Sequence, residues 1–400
     1  MSYTIKIPSY INDFKCIGKE CELHCCQVWG IDWYVSEVER IKNSDCSQEL
    51  KELVARSFKK TEHDDIVRII FGEDKDCPFH DKNDRLCMIQ KELGHDYLSH
   101  TCKTYPLAGT INNGTILRYR VISCPAVYDL VTASPDACDV YTKARKEDIT
   151  TVNSCFVDTE ADVSNNPVLM YRNELFDFFY GIISNKNTDI ITALISGILA
   201  ASKIDEFAAR DVKRIPEVIK ALTPQMTNPA TLKSLQDIAP NLSVKLPVLK
   251  NLFSSLEIEV PFRKFIQNGE GTADTDVLFI SPEQYNDYYK KFRSCFPKDY
   301  VIRNIVRALY MDMQMPFINK KDSIFANYAY FAVCVAAIEY LGVCIAASND
   351  DEATVRAKFK TIVCHLARKL CHNTTTNKLV LDFIRSINCY TPGYISIIVK

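Results

Sequence analysis

Two textures of apolar spacing divide the chain. In the first 160 or so residues the apolar positions come in short, changing rhythms. Val35, Val38 and Ile41, then Leu50, Leu53 and Val54, recur at helical spacing, which predicts helix over 34–61. The run Ile66 to Phe71, ended by Gly72, predicts a strand. Asn112-Asn113-Gly114 sits between two β-like runs, the second from Ile116 to Val121, and predicts a hairpin. Short mixed elements of this kind bury little apolar surface and need a staple.

After about residue 165 glycine becomes rare and amphipathic helical patterns dominate. They predict helices over 171–184, 188–203, 206–222, 245–255, 299–314, 324–347, 352–372 and 377–387. Proline-containing breaks fall near 215, 224, 229, 240, 247, 261, 282 and 297, and the polar stretch 266–275 reads as a loop. No fixed-period repeat or low-complexity tract appears. The expected fold class is α+β, mainly α. Residues 1–160 form a cysteine-rich region and 161–400 an α-helical one. The most apolar stretch, Ile324 to Ala347, contains Asn327 and Glu339 and is expected to be a buried core helix rather than a membrane span.

Composition adds one constraint. Hydrophobic residues make up 47% and charged residues 24% of the 400, ordinary values for a globular chain. A formal net charge of −2 offers no field to attract nucleic acid or an anionic membrane. Lys6, Pro8, Asn12 and Asp13 interrupt the N-terminal residues, so no secretory h-region is read and the cytoplasm is the expected compartment. The outstanding number is seventeen cysteines. In a reducing compartment they stay as thiols, and an odd count argues against a closed disulfide framework.

Eight cysteines form a set: Cys16, Cys21, Cys25, Cys26, Cys77, Cys87, Cys102 and Cys124. The first four fall within eleven residues, so one short loop can grip one centre from several sides. Pro78 and Pro125 each directly follow a cysteine, and Pro106 comes four after Cys102. Proline stiffens such a loop and removes a backbone donor. A single buried cysteine is ordinary core filler; eight of them beside turn residues in an apolar-poor region are not. Soft thiolates select zinc, Cu(I) or iron–sulfur clusters. Zinc motifs pair C-x2–4-C with a second such pair or two histidines, which the tandem Cys25-Cys26 and the later, widely spaced thiols fit badly. An iron–sulfur cluster is therefore the expected metal, with His24 and His100 as further possible ligands. Eight thiols exceed the four that one 4Fe-4S cubane needs, and the spacing does not choose among them. Cys21 and Cys25 match the first half of the radical S-adenosylmethionine CxxxCxxC motif, but Val28 stands where its third cysteine belongs.

These residues carry a resemblance. The run Cys16, Cys21, Cys25-Cys26 and Trp29, then Cys77-Pro78-Phe79 and Leu86-Cys87 with Ile89 to Gly94, then Leu98-Ser99, Thr101-Cys102 and Tyr105-Pro106, then Ser123-Cys124-Pro125, resembles the FliB family of flagellin lysine N-methylases, within a wider group of cysteine-cluster proteins. The match covers about residues 14–126. His80 stands where Leu often follows Cys-Pro-Phe, and Lys103 and Leu107 replace arginines that usually flank Cys-x-x-Tyr-Pro. The resemblance implies a protein-lysine N-methyltransferase that uses S-adenosylmethionine and an iron–sulfur cluster on flagellin. The alternative is a non-catalytic iron–sulfur or zinc protein: a carrier, redox sensor or adaptor.

Lesser candidates remain. Trp29 and Trp33 could cover the cluster, and Asp32 between them could act as acid or base. Cys364-His365 and Cys371-His372 recur at a helical interval. Tyr285, Tyr288, Tyr289, Tyr310, Tyr328 and Tyr330 could frame an ammonium by cation–π contact. Gly94 and Gly269-Glu270-Gly271 are the glycine turns that could approach a cofactor. For each of these, ordinary packing or a plain turn is the simpler reading.

Overall fold

A computed structural model describes residues 3–26, 30–73, 76–145, 155–255, 280–348, 350–371 and 374–400. The fold is α+β and mainly α, and among the described residues the sheets lie in the N-terminal part. The described strands are β1 (Tyr3–Pro8), β2 (Asp32–Tyr34), β3 (Phe58–Lys60), β4 (Ile66–Ile69), β5 (Leu107–Asn112), β6 (Thr115–Arg120), β7 (Val140–Arg145) and β8 (Cys155–Val157). Asn113 and Gly114 take φ values of 42° and 71°. A type I′ hairpin turn needs both to be positive, and it sets β5 against β6 with Asn112 opposite Thr115. Around this expected hairpin a five-stranded sheet assembles in the order β7-β1-β6-β5-β8. β1 pairs with β6, and β8 with β5, in parallel. The second sheet, β2-β4-β3, is antiparallel.

The expected helix over 34–61 is two helices, Val35–Lys42 and Gln48–Arg56, followed by β3. The break has a local cause. Ser47 accepts a hydrogen bond from the Leu50 N–H at 3.2 Å, an N-cap that starts a new helix. The stretch expected as one helix over 206–222 also divides. One helix ends at Ala208 and the next runs Ile215–Met226, with Asp211 capping a short turn between them. Two proline sites expected to be breaks, Pro224 and Pro247, lie inside the helices Ile215–Met226 and Leu242–Ser255, and three others are helix starts, with Pro216 in the first turn of Ile215–Met226. Pro229 and Pro282 begin the helices Pro229–Gln236 and Pro282–Ser294, behind Asn228 and Ser281 caps. At the first helical turn a missing N–H costs nothing. The loop expected at 266–275 lies outside the described residues.

Every residue of the helix Ile324–Ala346 is buried. Its composition and length would allow a membrane span, but here it is the axis of the helical region. It packs against the helices Ile190–Ala208, Pro282–Ser294, Glu352–Leu370 and Pro392–Val399. Two glycines permit the closest approaches: a Cβ on Gly197 would overlap the Tyr328 ring, and one on Gly342 would overlap Phe292. The main hydrophobic core runs from Tyr10, Leu117 and Tyr119 of the sheet region into these helices. A second, smaller core gathers Ile31, Trp33, Val38, Ile41, Leu50, Phe79, Ile89 and Leu98, with Cys26, Cys77, Cys87 and Cys102 among its members.

Overpacking a filled core costs about 1–3 kcal/mol. Gly197→Ala should therefore lower stability by that amount in chemical denaturation. Gly181, an exposed helical glycine where an added Cβ would meet nothing within 4 Å, supplies the control. Gly181→Ala should raise stability by about 0.5–1 kcal/mol.

Candidate metal centre

Backbone turns aim the thiols. The loop bearing Cys21 to Cys26 lies against the segment starting at Asp76, joined by the Cys77 N–H to the Cys26 carbonyl at 2.8 Å. An isolated bridge pairs His80 with Cys87. Cys87 is the N-cap residue of the helix Met88–Leu93, and Cys124 that of the helix Pro125–Ala133. Cys102 sits in the first turn of the helix His100–Thr104, where its N–H donates to the Ser99 hydroxyl at 3.1 Å. Three thiols are thus placed at helix N-termini, whose partial positive charge favours a thiolate.

The sulfurs also collect backbone donors. Cys21 accepts from Leu23, Cys77 from Phe79, Cys87 from Ile89 and Gln90, and Cys124 from Ala126 and Val127. This explains the two Cys-Pro pairs: proline removes the donor at the next position, and the one after it faces the sulfur. N–H to sulfur bonds of this kind tune metal-bound thiolates.

Cys25, Cys26, Cys77, Cys87 and Cys102 line one cavity of about 370 Å³. Ile31, Trp33, Phe79, Ile89 and Leu98 form part of its apolar wall, and Gln90 and Thr101 also border it. The other three expected ligands lie to one side. Cys21 senses Cys25 and Cys16, and Cys124 senses Cys21 and Cys25. Cys16 is exposed, and its sulfur accepts from the Gly18 N–H at 3.4 Å. Cys46 turns away to the Ile41 carbonyl at 3.8 Å. None of the sixteen cysteines with described side chains forms a disulfide.

Burial opposes ionisation of these thiols. It raises Cys21, Cys77 and Cys87, pushes Cys102 up to about 12 and Cys124 to about 11, with neighbouring thiolates adding to the rise. Cys26 is raised furthest because its S–H donates to Cys25. That same hydrogen bond, helped by the Arg368 charge, holds Cys25 down at about 7. Crowded thiols of this kind become thiolates together when a metal replaces their protons. The donor set therefore fits a thiolate-bound metal or cluster.

Arg368, from the helix Glu352–Leu370, binds the loop from behind. It donates to the carbonyls of Leu23 at 2.6 Å, His24 at 3.4 Å and Ser123 at 3.5 Å. Arg85 adds a 2.6 Å bond to the Cys21 carbonyl. No motif or spacing marks either arginine.

The lesser candidates sort clearly. Trp33 is buried in the cavity wall; Trp29 lies outside the described residues. Asp32 is half-exposed and held by Arg68 at 2.6 and 2.9 Å, a surface pair rather than an acid or base in the cavity. His100 is exposed. His24 meets Asp76 and His80 instead of the cavity, and burial, then the neighbouring His80, holds its pKa down at about 4. Cys364 and Cys371 are buried separately, the first near Cys124 and the second near Asp312 and Cys334; His372 is outside the described residues. Tyr310, Tyr328 and Tyr330 are fully buried core, and the cation over Tyr285 is the chain's own Lys245, 5.5 Å from the ring centre. Gly94, at φ 85°, closes the helix Met88–Leu93 as a plain turn. Gly269-Glu270-Gly271 is not among the described residues.

The family described as FliB lysine N-methylase C-terminal domain matches residues 176–398, more than half of the chain. The chain belongs to the FliB lysine N-methylase family. A lysine-N-methylase of Salmonella typhimurium is 24% identical over 98% of this chain and 96% of its own length. One from Salmonella choleraesuis is 26% identical over 64% of this chain and 62% of its own. The flagellar biosynthetic protein FliU of Salmonella muenchen is 30% identical over 34% of this chain and 80% of its own length. No solved structure matches. This FliB-family chain carries its matched segment in the helices, while its thiols precede it and are covered by the near-full-length relative.

The thiol electrostatics give a direct expectation. The hydrogen bond from Cys26 leaves Cys25 more ionised at neutral pH than an ordinary cysteine. In the reduced, metal-free chain, brief iodoacetamide labelling at pH 7 should modify Cys25 before exposed Cys16. Its labelling rate should fall about tenfold per pH unit below 7. Peptide mapping by mass spectrometry reads both.

Proposed function

We propose that this protein methylates lysine side chains of flagellin in the cytoplasm, with S-adenosylmethionine as methyl donor and a cysteine-ligated 4Fe-4S cluster at the thiol cavity. The observation that carries this reading is the convergence of five thiols on one cavity in a chain of the lysine N-methylase family. A cubane takes four thiolates. Cys25, Cys77, Cys87 and Cys102 are assigned as its ligands. Cys26 is the thiol most opposed to ionisation, and it is assigned as a protonated donor to Cys25. Cys16, Cys21 and Cys124 border this set.

When bound, the cluster supplies a redox-active, Lewis-acidic centre, and S-adenosylmethionine supplies the electrophilic methyl group. The chain's own residues provide the rest. Ile31, Trp33, Phe79 and Leu98 keep water from the thiolates. The backbone N–H groups of Phe79, Ile89 and Gln90 hold two of the sulfurs in orientation. Arg368 fixes the thiol loop to the helical region. A lysine ammonium has a reference pKa of about 10.4, so direct transfer requires its proton to leave first.

Protein purified without oxygen should be brown and contain about four iron and four sulfide per chain. It should transfer labelled methyl from S-adenosylmethionine to flagellin lysines. Ala substitution at Cys25, Cys77, Cys87 or Cys102 should abolish colour and transfer together, while Cys26→Ala should retain iron. A colourless protein holding stoichiometric zinc would overturn the cluster. A brown protein that does not bind S-adenosylmethionine would be a carrier or sensor instead.

A further inference from the structure

Behind the thiol cavity lies a second set of metal-type donors. The imidazoles of His24 and His80 stack with ring centres 3.8 Å apart and planes 18° from parallel. Asp76 presents one carboxylate oxygen 3.9 Å from His24 Nε2 and the other 3.8 Å from His80 Nδ1. One donor atom from each residue lies within 4.8 Å of the others. The side chains are 13%, 16% and 5% exposed for His24, Asp76 and His80. Among the described residues neither ring nitrogen of His80 has a hydrogen-bond partner, nor has His24 Nδ1.

Buried polar atoms without partners are costly and call for a cause. Two stacked imidazoles beside one carboxylate leave three ring nitrogens without a hydrogen-bond partner, and an imidazole lone pair needs a donor or a cation. A divalent ion can take a lone pair from each imidazole and one carboxylate oxygen. None of the three residues lines the thiol cavity. His24 precedes Cys25 and Asp76 precedes Cys77, and the two strands of chain are tied at Cys77 and Cys26. The imidazole–carboxylate set thus stands on the same paired segments as the cavity thiols without lining their cavity.

We propose that His24, Asp76 and His80 form a second metal site, distinct from the thiol centre, for a divalent transition ion that takes imidazole and carboxylate ligands. Two imidazoles and one carboxylate suit Zn²⁺ or Fe²⁺ and leave positions open to water. Metal bonds of about 2.0–2.2 Å lie in the plane of each imidazole, so binding requires the two rings to turn out of their stack and the donors to close by roughly an ångström, both changes of side-chain torsion. The ion clamps the two cysteine-bearing segments from outside the cavity.

The test titrates the reduced, full-length, metal-free chain with Co²⁺ under argon. Thiolate-bound cobalt gives intense sulfur-to-metal absorption in the near ultraviolet; cobalt held by nitrogen and oxygen gives only weak visible bands. Wild-type protein should bind one equivalent more than His80→Leu and than Asp76→Asn. The wild-type-minus-variant spectrum should show visible bands without the thiolate absorption. Elemental analysis of the protein as isolated should show the same one-equivalent loss, in zinc or in iron beyond the sulfide count. Equal cobalt stoichiometry in wild type and Asp76→Asn, a near-isosteric change that keeps the fold, overturns the site. So does a difference spectrum dominated by thiolate absorption.

Discussion

Five sulfurs around one apolar-walled cavity can ionise together only beside concentrated positive charge. That constraint organises the N-terminal part of the chain. Helix N-termini, backbone N–H groups and one arginine reduce the cost of thiolates, but burial still holds most of the thiols protonated. The small core around Trp33, Phe79 and Leu98 is built partly from these cysteines. Its short strands and one- to two-turn helices bury too little to be secure alone, so a metal that took the place of the thiol protons would also stiffen the region.

The helical region serves as foundation. Its axis, Ile324–Ala346, is wrapped on all sides, and the neighbouring helix Glu352–Leu370 sends Arg368 into the carbonyls behind Cys21 to Cys26. The buried carboxylate of Asp312 accepts from the Ile122 N–H at 2.7 Å, close to the start of the Cys124 turn. Burial raises that carboxyl well above the usual range. The segment matched to the family domain therefore bears directly on the thiol loop, although none of its cysteines lines the cavity.

Local features were legible in the order of residues. The Asn-Asn-Gly turn specifies its own backbone angles, long amphipathic runs specify helices, and Cys-Pro pairs beside turns mark the thiols. What could not be read is set by contacts between distant segments. The parallel pairing of β1 with β6 joins Thr4 to Thr115. Arg368 reaches the carbonyls of Leu23 and His24 across more than 340 residues. Nothing in its neighbours distinguishes it from any surface arginine. Asp76 was equally silent, since a lone carboxylate acquires meaning only when two imidazoles fold against it. Helix boundaries differed where a cap or a tolerated proline decides them: Ser47 split one expected helix, Pro216, Pro229 and Pro282 stand at helix starts where breaks were expected, and Pro224 and Pro247 lie within helices.

Whether the cavity thiols bind one iron–sulfur centre is decided by iron K-edge X-ray absorption on protein isolated without oxygen. The expected spectrum has a first shell of sulfur with iron–iron scattering beyond it, reporting thiolate and bridging sulfide together. A first shell of nitrogen and oxygen alone, or sulfur without iron–iron scattering, would contradict it.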